Sequence, residues 1–383
     1  MQKMKFIIRV LYKTSNHCNS FLILSICTLC FYCTKPLIAT SDSQRICEVG
    51  DKLSIMSWNL GYAGLGAEED FFADGGKNIR SHSQYNIAKN GMGICHTVRE
   101  NQTDLYLFQE IAKPSYINYN FNLLKSINQE LNSYTLNYLR QSYTVTIPWP
   151  LRIEVGNLIA SKCIPFEISI HKLPGNKTGL FCQKFNLIFA KFRIANSNKL
   201  WVIGNVHKSA FDSNATIRKL QVKEIVQQGI VEYTKGNCVV IGGDWNLVPV
   251  KTTFPHTTAK KYLFWIFSFP KEYIPAGWHF YVDEKSPSVR TLQKSYVKNE
   301  NYTTIIDGFL CSPNVKVAQV RTINQNFIYS AHNPVIINVE VNETLQSESQ
   351  STFDNRSSVQ NRTEQEKPIF FTKVKTDPVQ NDR

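Results

Sequence analysis

Residues 239–246 read Val-Val-Ile-Gly-Gly-Asp-Trp-Asn. Five apolar or small residues run into an acid and an amide, the pattern of a buried strand that ends in a polar loop. A β-branched run suits a strand covered on both faces. The two glycines let the backbone turn sharply and approach a ligand closely. Asp244 and Asn246 then emerge at the strand end, where side chains can meet substrate. The plain alternative is a strand followed by an Asx turn, since Asp and Asn hydrogen-bond their own backbone in turns. The segment alone does not choose between the two.

Four other strand ends deliver polar groups in the same way. Ser57-Trp58-Asn59 follows the apolar run 53–56, Gln109-Glu110 follows 105–108, and Asn205-Val206-His207 follows 201–204. The fourth, Ile306-Asp307-Gly308, is followed at a distance by Ser330-Ala331-His332-Asn333-Pro334. A single strand-end acid or histidine is usually a cap or a satisfied loop residue. Five in one chain point to a shared site. Further strand-like runs fall at 143–147, 157–160, 187–192, 239–241 and 335–341. Helical patterns cover 83–99 and 216–233, the latter carrying Ile217, Leu220, Ile225 and Val226 at near-helical spacing. Strands outnumber helices but are interrupted by them, which predicts packed sheets with outer helices in one domain over residues 40–341.

The flanks differ in composition. Residues 1–39 hold Lys3, Lys5, Arg9, Lys13 and Lys35, no acid, and an apolar stretch at 21–33. That stretch is shorter than the roughly 18 residues of a membrane span. It predicts export, through a cleaved signal or an uncleaved anchor. Residues 342–383 are rich in Ser, Gln, Asn and Thr with alternating charge, and read as a disordered tail. The whole chain carries +13. Taking the five basic residues of 1–39 from 43 leaves 38 against 30 acids, or +8. The surplus favours polyanionic partners, nucleic acid or an anionic membrane surface. Of the cysteines beyond residue 39, Cys163 and Cys182 flank a hairpin pattern and are the best candidates for a disulfide. Cys238 and Cys311 sit in apolar strand patterns and read as buried thiols. Among these cysteines beyond residue 39 no pair has the CxxC spacing of a structural zinc site.

The order and wording of these strand ends resemble the endonuclease/exonuclease/phosphatase superfamily of metal-dependent hydrolases, across residues 52–341. Gly156-Asn157-Leu158-Ile159-Ala160-Ser161-Lys162 looks like its central strand. Within the superfamily, Asn59, Asp-Phe-Phe-Ala-Asp-Gly-Gly-Lys at 70–77 and Ser209-Ala210-Phe211-Asp212 are most similar to bacterial members of unassigned substrate. The resemblance implies a deoxyribonuclease I-like α/β fold, a four-layer sandwich of two packed mixed β-sheets with outer helices. It also implies a metal-dependent phosphoesterase.

The residues suit that chemistry. Hydrolysis of a phosphodiester needs charge neutralisation, an activated water and help for the leaving oxygen. Glu110, with Asn59, is expected to bind Mg²⁺, or Mn²⁺, as oxygen ligands do. Asp244 would orient or deprotonate water, Asn246 and His207 would donate to the phosphate, and His332 would contact the phosphate or move a proton with its ring held by Asp307. Either Asp244 or His332 could be the base. Asn205, Asn157 and Arg290 are the expected substrate contacts. One departure stands out: the superfamily usually has Asp immediately before the last His, and this chain has Ala331. Three functions follow. The first is an exported, monomeric phosphodiesterase acting on nucleic acid. The second is the same chemistry on a phospholipid headgroup, with aromatics at 254–278 touching a membrane surface. The third is an impaired site that only binds phosphorylated ligands.

Overall fold

Along the strand that carries the opening segment, Cys238 and Val240 pack into one buried apolar layer, whereas Val239 and Ile241 pack into another. That period-two alternation with both sides covered is what a central strand between two layers requires. The computed structural model describes residues 48–140, 142–143, 154–175 and 183–342. The expected leader at 1–39, Cys182 and the tail beyond 342 lie outside the described residues.

The strands are β1 (Lys52–Asn59), β2 (Leu105–Ala112), β3 (Thr135–Arg140), β4 (Ser142–Tyr143), β5 (Val155–Ser161), β6 (Glu167–Leu173), β7 (Gln183–Arg193), β8 (Leu200–His207), β9 (Cys238–Asp244), β10 (His279–Tyr281), β11 (Val289–Arg290), β12 (Thr303–Thr304), β13 (Asp307–Cys311), β14 (Val315–Thr322) and β15 (Val335–Val341). The helices are α1 (Gln84–Glu100), α2 (Leu123–Glu130) and α3 (Thr216–Thr234). One sheet has the order β14-β15-β1-β2-β5-β3, and the other β10-β13-β9-β8-β7-β4 with β6 also on β7. Both are mixed. β1 runs parallel to β2 across α1, β8 runs parallel to β9 across α3, and their other neighbours are antiparallel.

The sheets face each other through Ile55, Leu107, Ile159, Ile203, Val240, Phe309 and Ile337. On one outer face Met56, Trp58, Tyr106 and Phe108 meet Ile94 of α1 and Ile127 of α2. On the other, Val202, Val239 and Ile241 meet Val222, Ile225 and Val226 of α3. The result is the expected four-layer α/β sandwich. Each fully buried Leu, Ile, Val or Phe contributes about 1.5–3 kcal/mol. Among the described residues no helix is long and apolar enough to cross a membrane.

Several local readings change. The helix expected at 83–99 starts after Ser83, whose side chain accepts the Asn86 N–H as an N-cap. In α3 the expected apolar face is partly wrong. Leu220 is exposed, and Arg218, Gln221 and Gly229 share the buried face with Val222, Ile225 and Val226. The strand expected at 143–147 is seen only at Tyr143 in β4, and its remainder is outside the described residues. Cys163 is disulfide-bonded, and Cys238 and Cys311 are buried free thiols.

Gly243 shows why the opening segment needs its second glycine. Its φ is +148°, and a Cβ there would lie 2.0 Å from the Val206 carbonyl oxygen on the adjacent strand. Only a residue without a side chain lets β8 and β9 close to their register of His207 opposite Asp244.

Candidate active site

The five strand ends meet. Asp244 closes β9, with His207 opposite it on β8 and Asp307 opposite it on β13. Asn59 ends β1, and Glu110 lies where β2 bulges between Phe108 and Ile111. Glu110 has φ +50°, in the left-handed region that non-glycine residues occupy at a cost of order 1 kcal/mol or more. The bulge turns its carboxylate toward the site, a use bulges commonly serve.

Asn59 ties the acids together. Its Nδ2 donates to Glu110 Oε1 at 3.1 Å and to Asp244 Oδ2 at 3.0 Å, while its Oδ1 accepts the Gly61 N–H at 3.0 Å. That last bond fixes which way the amide faces, because a flipped amide would set N–H against N–H. Asn59 was expected to offer oxygen to a metal. It instead presents its amide hydrogens to the two carboxylates and acts as a brace. His207 Nε2 lies 3.5 Å from Glu110 Oε1 and 3.8 Å from Asp244 Oδ2. Its buried Nδ1 has no hydrogen-bond partner among the described residues.

His332 is fixed from three sides. Trp58 Nε1 donates to its carbonyl at 2.8 Å, its own N–H donates to Ser330 Oγ at 3.2 Å, and Ser330 Oγ donates to the Asn59 carbonyl at 2.7 Å. Its ring Nδ1 meets Asp307 Oδ2 at 2.9 Å, leaving Nε2 3.8 Å from Asp244 Oδ2. Burial opposes a charge on this ring, but Asp307 and then Asp244 outweigh it and hold its pKa up to about 9. Burial also raises the Asp307 carboxyl, which His332 pulls back down. The two tendencies differ in sign for an ion pair. The 2.9 Å contact favours imidazolium and carboxylate at neutral pH.

Asn246 stands at φ +48° just past Asp244. Its backbone N–H donates to Asp244 Oδ1 at 2.9 Å and its Nδ2 to the Lys208 carbonyl at 3.0 Å. The Asx turn is therefore formed, and it sets Asp244 and Asn246 on the cavity. Asn246 is held by Arg218, which is wholly buried and donates to the Asn246 and Trp265 carbonyls at 2.8 and 2.7 Å. Arg218 is paired through Nε with Asp212 at 2.8 Å, and Asp212 also accepts the Ile217 N–H at the start of α3. Lys208 is buried over the rings of Trp245 and Phe269, and burial with Arg218 nearby pushes its pKa well below the usual lysine value. Sequence reading assigned nothing to Lys208 or Arg218. The acid six residues before Arg218, at the head of a helix, was the available signal.

Three expected substrate contacts are corrected. Asn205 donates to the Phe108 carbonyl at 3.1 Å and the Leu158 carbonyl at 2.9 Å, and accepts Gln109 Nε2 at 2.9 Å. It is fully buried and its amide is consumed within the fold. Arg290 is also buried, donating to the carbonyls of Thr291, Gly66 and Glu69 at 3.2, 2.6 and 3.1 Å, so it latches loops together. Asn157 is buried in β5 and does not line the cavity; its Oδ1 has no partner among the described residues.

Above the polar cluster is a cavity of about 380 Å³. Its floor is Asn59, Glu110, His207, Asp244, Asn246 and His332; its walls are largely apolar, with Tyr62, Phe71, Phe72, Phe211 and Trp265. Ala331 belongs to the wall, packed with Tyr62, Leu65 and Leu292, so the missing acid is replaced by apolar surface. Of the aromatics expected to reach a membrane, Trp265, Phe269 and Trp278 are buried. Phe264 is 50% exposed and packs on Phe211, itself 48% exposed, at the mouth.

The donor set fits a hard divalent cation. Glu110 and Asp244 sit close enough for one amide to bridge them, and carboxylate oxygens are what Mg²⁺ prefers. Asp244, Asp307 and His332 also fall within 4.8 Å of one another. His332 and Asp307 are hydrogen-bonded to each other, so that trio suits proton transfer better than ligation.

No family model matches the chain, and no curated protein matches it. Solved structures do. The chain is similar to an endonuclease/exonuclease/phosphatase from Beutenbergia cavernae at 13% identity and TM-score 0.51, covering 76% of this chain and 72% of that one. It is similar to another from Bacteroides vulgatus at 15% identity and TM-score 0.50, covering 76% and 99%. At these identities the likeness establishes the fold.

Proposed function

We propose that this chain, built on the endonuclease/exonuclease/phosphatase fold, is an exported metal-assisted phosphodiesterase whose substrate class is nucleic acid. The observation that carries the chemistry is the junction of Glu110, Asn59 and Asp244 beside the Asp307–His332 pair at the floor of one cavity. The positive surplus of the chain supports a polyanionic substrate.

A Mg²⁺ or Mn²⁺ ion held by Glu110, with Asp244 beside it, would neutralise phosphate charge and polarise the phosphorus–oxygen bonds. Asp244 orients the attacking water and accepts its proton, because His332, charged at neutral pH, is not free to do so. His332 instead donates from Nε2 to the phosphate or the leaving oxygen. His207 adds a second donor. Asn246, whose Nδ2 is anchored on the Lys208 carbonyl, has its other amide hydrogen for phosphate. Asn59 holds the two carboxylates apart and in place.

A panel of phosphodiesters with Mg²⁺ or Mn²⁺ tests this. Turnover by the natural protein, lost in Glu110→Ala and His332→Ala, is expected; failure on single-stranded, plasmid and synthetic diesters alike would end the reading. One observation favours a second substrate, a phospholipid headgroup diester: the exposed rim of Phe211, Phe264 and Ile79. Vesicle binding that disappears in Phe211→Ser and Phe264→Ser would support it.

A further inference from the structure

Arg80 sits at the lip of the cavity. Ile79, its neighbour in sequence, lines that cavity, and so does Ile117 of the short 3₁₀ turn Tyr116–Asn118. The Arg80 guanidinium carbon lies 4.2 Å from the ring centre of Tyr116 and 4.3 Å from that of Tyr119. The clamp is anchored. Tyr119 Oη donates to the Ser81 carbonyl at 3.1 Å, and the Ser81 hydroxyl donates to buried Glu69 at 2.6 Å. Ring contacts use the face of a guanidinium and spend none of its five N–H donors. Those donors meet no hydrogen-bond or ion-pair partner among the described residues, and none of the Arg80 nitrogens is closed off from solvent. The acids nearest in sequence are already engaged: Glu69 accepts Ser81, the His82 N–H and Asn86, and Asp70 accepts Lys77 and Asn78.

We propose that Arg80 binds a second phosphate of a polynucleotide strand, one that adjoins the phosphodiester held at the cavity floor. This inference rests on the proposed function and deepens it, because it makes a chain of phosphates a better substrate than an isolated diester. The planar fork of a guanidinium matches two phosphate oxygens at once, and a fork already held by two rings loses little freedom when it does so. Other arginines are committed elsewhere. Arg99, Arg140 and Arg218 face Glu130, Glu154 and Asp212, and Arg290 is spent on carbonyls. Arg193 stacks on Phe166 at 4.0 Å, but it pairs with Leu200 at the start of β8, at the opposite end from His207. It has the same kind of ring contact far from the cavity, and so supplies a control. A lipid headgroup with a single phosphate would fill the floor and leave Arg80 idle.

The test compares turnover of a dinucleoside monophosphate, which has one phosphate, with that of a trinucleoside diphosphate, which has two, in the presence of Mn²⁺. Binding of a labelled single-stranded oligonucleotide in EDTA is followed by fluorescence anisotropy across a salt series, and binding to phosphatidylglycerol vesicles runs alongside. Arg80→Gln removes the charge, Arg80→Lys keeps it without the fork, and Arg193→Gln removes the same charge elsewhere. The natural protein is expected to prefer the two-phosphate substrate. Arg80→Gln is expected to lower kcat/KM on that substrate by about tenfold, mainly through KM, and to leave the one-phosphate substrate unchanged. The slope of log affinity against log salt should flatten by about 0.7, the value for one phosphate contact to a single strand. Arg80→Lys should keep the slope and recover only part of the affinity. Arg193→Gln should change neither.

An equal fall on both substrates, or an unchanged salt slope with a lower urea midpoint, would mean that Arg80 only braces the loops at 79–83 and 116–119, and would overturn the inference. So would an equal effect of Arg193→Gln, which would leave net charge as the cause. Vesicle binding that depends on Arg80 while oligonucleotide binding does not would put the phosphate on a lipid, and would overturn it too. Turnover of both diesters that is indifferent to Arg80 sinks the inference but leaves the proposed function standing. Oligonucleotide binding that depends on Arg80, with no hydrolysis of any diester, sinks the proposed function instead.

Discussion

Replacing Asp307 by Asn isolates the charge that holds His332 protonated. The amide keeps an oxygen for the Nδ1–H of His332, now 2.9 Å from the carboxylate, and removes only the negative charge. With the charge present the ring is held up to about 9. An ordinary histidine titrates near about 6.5. The gap corresponds to roughly 3 kcal/mol favouring the charged ring. Because the folded value is raised, this stabilisation is complete below pH ~6.5 and is lost as pH rises through about 9. The Asp307 carboxyl is itself raised by burial, which costs stability once it ionises, so the net worth of the pair is smaller. NMR titration of the His332 ring in metal-free protein reads the effect directly. The midpoint is expected near 9 in the natural protein and well below that in Asp307→Asn, where burial lowers it and only Asp244 and Glu110 still raise it. Urea unfolding should show the variant weaker at pH 6 and nearly level with the natural protein at pH 9.5. A variant ring that still titrates near 9 would refute the reasoning, and would return the role of base to open competition between Asp244 and His332.

Gly243→Ala forces a Cβ to 2.0 Å from the Val206 oxygen at φ +148°, so it should cost on the order of 3 kcal/mol in urea unfolding and splay His207 from Asp244; a loss under about 1 kcal/mol contradicts the close-approach argument. Glu110→Gly should be no less stable than Glu110→Ala, by about 1 kcal/mol, because glycine accepts φ +50° freely. Both variants should bind Mn²⁺ at least about tenfold more weakly by electron paramagnetic resonance, and unchanged binding would remove Glu110 from the metal. Ala331→Asp places a carboxylate among Tyr62, Leu65 and Leu292. It should lower stability in EDTA by roughly 1–3 kcal/mol and tighten Mn²⁺ binding; comparable hydrolysis with and without the new acid would exclude the impaired-site reading.

The central strands were legible because burial on two faces leaves a continuous β-branched run, as at 239–241. Edge strands leave less. β14 alternates weakly, with Lys316, Ala318 and Gln319 interleaved among its valines, and every residue of β3 is only half-buried. Strand ends told which polar residues to suspect, and Glu110, His207, Asp244, Asn246, Asp307 and His332 do line or frame one cavity. Sequence could not say where a polar group spends its hydrogen bonds. Asn205 and Arg290 carry the right chemistry but expend it on backbone carbonyls. The +50° backbone of Glu110 follows from a bulge that only pairing with β5 defines. Asp74 stood in a quoted segment with no assigned role, because its burial depends on contact with Leu292, 218 residues away.

The amide of Asn205 joins β8 of one sheet to backbone of β2 and β5 in the other, directly beneath the acids. Between them the sheets meet mainly through aliphatic and aromatic side chains, which tolerate small sliding, and at the far end the backbone of Val49 and Gly50 is hydrogen-bonded to Arg193, Ala195 and Trp201. Directional bonds do not slide. Thermal opening of the sandwich should therefore be resisted at Asn205, with slow amide exchange in the strands it joins. Remote core substitutions would then loosen the molecule without shearing Glu110 away from Asp244, leaving the sequence free to vary where the chemistry would not feel it.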